Sequence, residues 1–226
     1  MNHDKPIGPR VARSSAALAS LCALMAVTMA GCNIFGPVFL LAHGPPKIYR
    51  EHTLDKEKKV AILIDDPGAR IPRTQLRIIM GEEAEQILLK KNLVGDAISA
   101  RSTIAVAAQA RGGEPPSITA IGRTVGADHV IWVGIESFSL TSDGQTYEPT
   151  VTATVKVIDV ASDSRIWPAT GPGYPLVIKR SMRTRDPPKT RSEAEQVHIE
   201  LSKFFGRGIA ELFYDEERIR SARGGG

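Results

Sequence analysis

From Thr150 to Val157 polar and apolar residues alternate without a break. Thr150, Thr152, Thr154 and Lys156 fall on one side of an extended chain, and Val151, Ala153, Val155 and Val157 fall on the other. Successive side chains of a strand point to opposite faces, so this pattern describes an antiparallel strand with core on one side and water on the other. The rest of the chain has to supply a layer against the valine side. Two other segments read differently: Lys59–Ile64 and Ala127–Ile135 are continuous apolar runs rich in branched residues, the mark of strands covered on both faces. The apolar phase shifts between Ile135 and Phe138, which predicts a bulge at Glu136 and Ser137. The run from Ala161 to Ser164 predicts a turn into Arg165, Ile166 and Trp167, closing a hairpin, and a further strand is expected within Tyr174–Met182. Val94–Ala100 reads as one more short strand.

Helical spacing supplies the covering layer. Leu76, Ile79, Met80, Ala84, Ile87 and Leu88 predict a helix from about Pro72 to Lys91, with Pro72 in the tolerated first turn. A weaker pattern runs from Thr103 to Arg111, and a clearer one from Ser117 to Val125 stops at Gly126. In the last helix, Ser192 and Glu195 have the spacing of a capping box. Ala194, Val197, Leu201, Phe204, Phe205, Ile209, Leu212 and Phe213 follow at 3.6-residue intervals and are expected in the core. The order is β-α-β-α-β-β-β-α, an α/β (α+β) arrangement of helices packed on a mixed β-sheet.

The ends are not part of that layer. Residues 1–31 carry Lys5, Arg10 and Arg13, then an apolar run too short to cross a bilayer, then Met29-Ala30-Gly31-Cys32. The last four residues resemble a bacterial lipobox, which implies an export signal over 1–31 and a lipid on Cys32. Met29 stands where the pattern usually has leucine. Cys22, the only other cysteine, would leave with the signal, so lipidation also removes an odd free thiol from an oxidising compartment. Residues 32–56 read as a lipidated tether interrupted by Gly36, Pro37, Gly44, Pro45 and Pro46, residues 57–214 as one periplasmic domain, and 215–226 as a flexible tail. Of the formal charge of +4, the signal holds +2, so the remainder is no nucleic-acid binder by charge.

The segment Ile121–Ile135, with Gly126-Ala127-Asp128 before an apolar strand, is similar to a motif of periplasmic domains related to the amino-terminal domain of the Tol translocation protein and to the curli secretion channel lipoprotein. Val155–Asp159 followed by a polar turn and Ile166-Trp167 resembles their strand-turn-strand hairpin. The resemblance implies an anticodon-binding-like, Tol amino-terminal-like sandwich in an envelope lipoprotein that binds other proteins, sometimes as a ring. No pair of spare ten-residue hairpin strands is present to build a membrane barrel, so pore formation is not carried over. By the same resemblance, Asn33 after the cysteine implies the outer membrane, not retention at the inner one.

Chemistry-bearing patterns are sparse. Asp65 and Asp66 at the end of the first strand are the best carboxylate pair for a hydrolase or metal site, but Asp-Asp-Pro-Gly is also what a strand-ending turn needs, and neighbours on a strand point apart. His43, His52, His129 and His198 lack paired ligand spacing, so no metal and no cofactor are expected. Trp132 and Trp167, placed in adjacent strands, are candidate binding aromatics. Lys179, Arg180, Arg183, Arg185, Lys189 and Arg191 stand against the single acid Asp186, a net +5 suited to an anionic partner, either lipid headgroups or an acidic protein. The resulting expectation is a non-catalytic, membrane-anchored lipoprotein that binds an envelope protein. The alternatives are an oligomeric scaffold or secretion-channel accessory, and a hydrolase with its site at Asp65 and Asp66.

Overall fold

The computed structural model describes residues 47–109, 115–141, 146–179 and 187–217, and residues 48–216 form one compact unit. The signal, the lipobox with Cys32, most of the tether, the centre of the basic run and the tail beyond 217 lie outside the described residues.

The fold is α/β, a mixed six-stranded sheet with four packed helices. In chain order the elements are β1 (Lys59–Asp65), α1 (Thr74–Lys90), β2 (Asp96–Ile98), α2 (Ala100–Ala107), α3 (Ile118–Val125), β3 (His129–Thr141), β4 (Tyr147–Asp159), β5 (Ser164–Trp167), β6 (Tyr174–Lys179) and α4 (Arg191–Glu211). The strand order is β2-β1-β3-β4-β5. Strand β1 runs parallel to both β2 and β3, and β4 runs antiparallel to β3, β5 and β6. The two continuous apolar runs are therefore the two central strands, and Val60–Ile64 is buried throughout. Strands β5 and β6 lie one after the other along the same edge of β4.

One face of the sheet is closed by α1 and α4. Val60, Ile62 and Ile64 from β1 and the valines of β4 meet Leu76, Met80, Ala84 and Leu88 from α1 and Leu201, Phe205 and Ile209 from α4. Gly206 lets these helices touch, since a Cβ there would lie 2.3 Å from the Met80 carbonyl oxygen. The opposite face carries a smaller core of Ala61, Leu63, Ile121, Ala127, Val130 and Val160, under α2 and α3. The bulge in β3 falls between Ile135 and Ser137, where the phase shift predicts it. Gly126 takes the left-handed conformation (φ 77°) that ends α3.

Four expectations are corrected. Pro72 lies outside α1, whose N-cap is Arg73, because Asp66 binds the amides of Arg70 and Ile71 and holds the loop open to that point. Helix α2 begins at Ala100 and not Thr103. The capping box of α4 is Thr190 with Glu193, one of two overlapping pairs with the right spacing; Glu195 is taken instead by Arg73 at the start of α1. Phe204 is 39% exposed, while Phe205 beside it is fully buried. Adjacent positions on a helix differ by about 100°, so only one of the two can face the sheet. The amides of Glu51 and His52 bond to the Leu212 carbonyl at 2.8 and 3.2 Å, and Leu54 is buried.

Candidate functional site

The connections from β1 leave in two directions, to β2 on one side and eventually to β3 on the other. Such a reversal opens a crevice at the carboxyl ends of the strands, the usual ligand position in open α/β sheets. Asp65 and Asp66 sit there, but their carboxylates diverge. Asp65 Oδ2 accepts the Trp132 indole N–H at 3.0 Å across the sheet. Asp66 turns back into its own loop, accepting the amides of Arg70 at 2.9 Å and Ile71 at 2.8 Å. Arg77 donates to the Ile64 carbonyl near the end of β1 and Arg70 to the Ile135 carbonyl at the β3 bulge, so the basic side chains here brace backbone. Among the described residues, no group of three or more His, Cys, Asp and Glu is placed to hold a metal.

From Asp65 the same face continues over β3, β4 and β6, and α2 and α3 pack chiefly on β1 and β3. The benzo end of the Trp132 ring reaches over Gly134, where a Cβ would come within 2.3 Å of the indole. Lys156 Nζ stands 4.6 Å above the ring centre on its outer side. The indole is thus clamped between backbone and a cation, with its N–H fixed by Asp65. Beyond it, Ser137 and Thr152 share a hydroxyl hydrogen bond of 2.7 Å, and Thr154 donates to Glu136, the bulge residue. Val177, beside Thr152 in register, is 53% exposed. The result is a half-exposed, hydrogen-bonded polar surface containing one aromatic ring.

Trp132 and Trp167 do not form the pair expected of them. Strand β4 lies between their strands, and they point to opposite faces: Trp132 pairs in register with Lys156, and Trp167 with Val157. Trp167 joins the closed face. His52 stacks on it at 5.6 Å and 24°, Tyr174 stacks at 5.1 Å and 26°, and Phe213 meets it edge-on at 6.1 Å. Burial holds the His52 imidazole below its usual pKa. These four rings come from the incoming segment, the β5 hairpin, β6 and the end of α4, and no local periodicity could have revealed them.

Of the basic run, Lys179 ends β6 and pairs with Glu148 at 3.2 Å, while Lys189 and Arg191 are exposed at the start of α4. Arg180, Arg183 and Arg185 lie outside the described residues. Helix α4 has 21 residues, so it is about 31 Å long. The incoming segment is bonded to Leu212 at its far end. Lys189 and Arg191 are therefore separated from the incoming chain by the length of a helix, whereas Lys179 follows Ile178, which packs on Gly208 about one turn from Leu212.

A second cleft, at the amino-terminal end of β1, is lined by Lys58, Arg123, Asp128 and Asp159. Its acids are engaged: Asp128 accepts the Lys59 amide at 2.9 Å, and the hydroxyl and amide of Ser162 hold the Asp159 carboxyl below the usual range. His129 Nε2 lies 3.4 Å from Asp159.

No protein-family model matches the sequence, and no curated protein matches it. Solved structures with a similar path include the PelC dodecamer from Paraburkholderia phytofirmans, at 14% identity and TM-score 0.41, covering 75% of this chain and 96% of that one. Lipoprotein GNA1162 from Neisseria meningitidis is similar at 10% identity and TM-score 0.35, over 63% of this chain and 93% of that one. TolB from Acinetobacter baumannii is similar at 12% identity and TM-score 0.27, over 73% of this chain but 31% of its own length. These are likenesses of chain path alone. No helix among the described residues is long and apolar enough to cross a membrane.

Proposed function

We propose that this chain is an envelope lipoprotein, anchored through Cys32, whose α/β domain is a non-catalytic module for binding a protein partner. The observation that carries the reading is the open half of the sheet. Across β3 and β4 the side chains are already engaged in pairs, Trp132 with Lys156, Ser137 with Thr152 and Glu136 with Thr154, on an antiparallel ladder, and the Trp132 N–H is held by Asp65 of β1. A pre-ordered surface of mixed polar groups around an aromatic suits a protein contact, because little side-chain entropy remains to be lost on binding. Asp65 and Asp66 each hold a structural hydrogen bond and diverge, which weighs against the hydrolase reading. The basic run is read as a contact for an acidic protein, since Lys189 and Arg191 lie a helix length from the incoming chain. Outer-membrane placement belongs to this proposal as well.

Two experiments test it. Replacing Cys32 by alanine should leave the protein unprocessed or release it from membranes on fractionation; unchanged membrane association sinks the anchor. A photo-crosslinking side chain at Thr152 or Val177 should capture a partner in intact cells, while one at Lys203, exposed on α4, should not. Capture of a second copy would replace this reading with the oligomeric scaffold. Equal capture, or none, from both faces would end the case for the open sheet.

A further inference from the structure

Helix α2 is eight residues long, and its N-cap, Ser99, makes no side-chain bond to it. A carboxyl from another helix lies at that end instead. Glu85 of α1 is nine-tenths buried, with its carboxyl facing the Ala100 amide. Its Oε1 is sealed from solvent without a hydrogen-bond partner among the described residues. One turn earlier, Gly81 admits α2 to this distance, since a Cβ there would lie 2.4 Å from the Ala100 methyl. A buried carboxyl with one empty oxygen is well housed when protonated and poorly housed when charged.

The charges around it do not relieve that. On α1, Glu82 adds repulsion. Arg101, the only charged residue of α2, is turned to Glu82 at 3.5 Å. On β2, Asp96 lies 3.9 Å from Lys59. On strand β1 the one cation is that Lys59, at the far start of the strand beside Asp96, and the residues beneath α1 are Ile62 and Ile64. The Thr103 hydroxyl is bonded to the Ser99 carbonyl.

We propose that Glu85 is a proton-operated latch: its neutral carboxyl keeps α2 docked against α1, and its ionisation loosens α2 and uncovers the apolar side chains beneath. Burial pushes this carboxyl up to about 7, against the pull of the Ala100 amide. The sign follows from that direction. A carboxyl whose folded pKa exceeds its free value holds its element best at low pH, and the hold weakens as pH rises towards the folded pKa and is fully lost above it. Water reaching the charged carboxylate requires the start of α2 to move, because Oε1 is otherwise enclosed. The latch is independent of what the open sheet face binds.

Hydrogen exchange of the purified full chain, read by mass spectrometry at pH 6 and pH 8 with times scaled for intrinsic rates, tests this. Protection over residues 100–107 should fall by about tenfold or more at pH 8, while α4 stays protected as the internal control. Glu85→Gln should keep α2 protected at both values. Glu85→Met, which cannot ionise, should do the same, and protection of α4 reports that either variant is folded. Equal protection of α2 in the unaltered chain at both pH values overturns the latch. So does the same pH-dependent loss in a folded Gln or Met variant.

Discussion

The two faces of the sheet are built from the same strands but held by different forces. On β4, Val151, Val155 and Val157 are fully buried under α4, while Thr150, Thr152 and Thr154, one residue away in each case, are only half-buried. The closed face depends on area removed from water and on close packing, which punish any lost volume. The open face depends on a few directed contacts, each worth far less. A surface of the second kind can be altered without unfolding the domain, and a surface of the first kind cannot.

The largest expected effect tests the closed face at neighbouring residues. Phe205→Ala should cost about 3–5 kcal/mol in urea unfolding, and Phe204→Ala less than about 1 kcal/mol, since Phe204 is 39% exposed. Similar losses at the two positions would mean that α4 is rotated from the orientation described here.

On the open face the most demanding position is Gly134, under the indole. Gly134→Val should cost about 1–3 kcal/mol by displacing the ring and should change the Trp132 environment, read by fluorescence in a Trp167→Phe background. An unchanged emission would show that the ring does not reach over Gly134.

A smaller effect is expected from pH, again on the closed side. Burial lowers the pKa of both His52 and His198, and His198 is lowered further by Arg73. Their neutral forms suit the fold, so in a Glu85→Gln background, which removes the opposite slope of that raised carboxyl, stability should be intact above about pH 6.5 and fall as pH drops below it, where the unfolded chain takes up protons first. Replacing both by Phe should flatten the urea midpoint between pH 7.5 and 5.5; an undiminished slope would place the protons elsewhere. The smallest change is Lys156→Ala, where loss of the cation over Trp132 should cost about 0.5–1 kcal/mol, with thermal unfolding as the readout. A loss of several kcal/mol there would erase the contrast between the faces.

The contrast was legible in the amino-acid sequence where it is local. The β4 alternation, the β3 bulge and the Gly126 stop each depend on residues within one element, and each falls where periodicity puts it. What was not legible depends on distant residues. Both Thr190 with Glu193 and Ser192 with Glu195 have the right spacing, and it is Arg73, 122 positions away, that engages Glu195. The start of α2 at Ala100 involves Glu85 from another helix. The same holds for the site: Asp65 was singled out, but its partner Trp132 is 67 residues distant, and a ring clamped over Gly134 leaves no pattern along the chain.

The last helix has a bearing on how the molecule is made. Strand β1, near the start of the domain, supplies Val60, Ile62 and Ile64 to a core completed only by Leu201, Phe205, Ile209 and Phe213 near its end. Synthesis proceeds from the amino terminus, so the central strand emerges long before the helix that covers it. Until about residue 213 is free, the nascent chain exposes apolar strands with nothing to bury them, and contacts spanning some 140 residues must form late and slowly. For that interval the uncovered strands are open to association with other chains, a hazard that lasts as long as the last helix is missing.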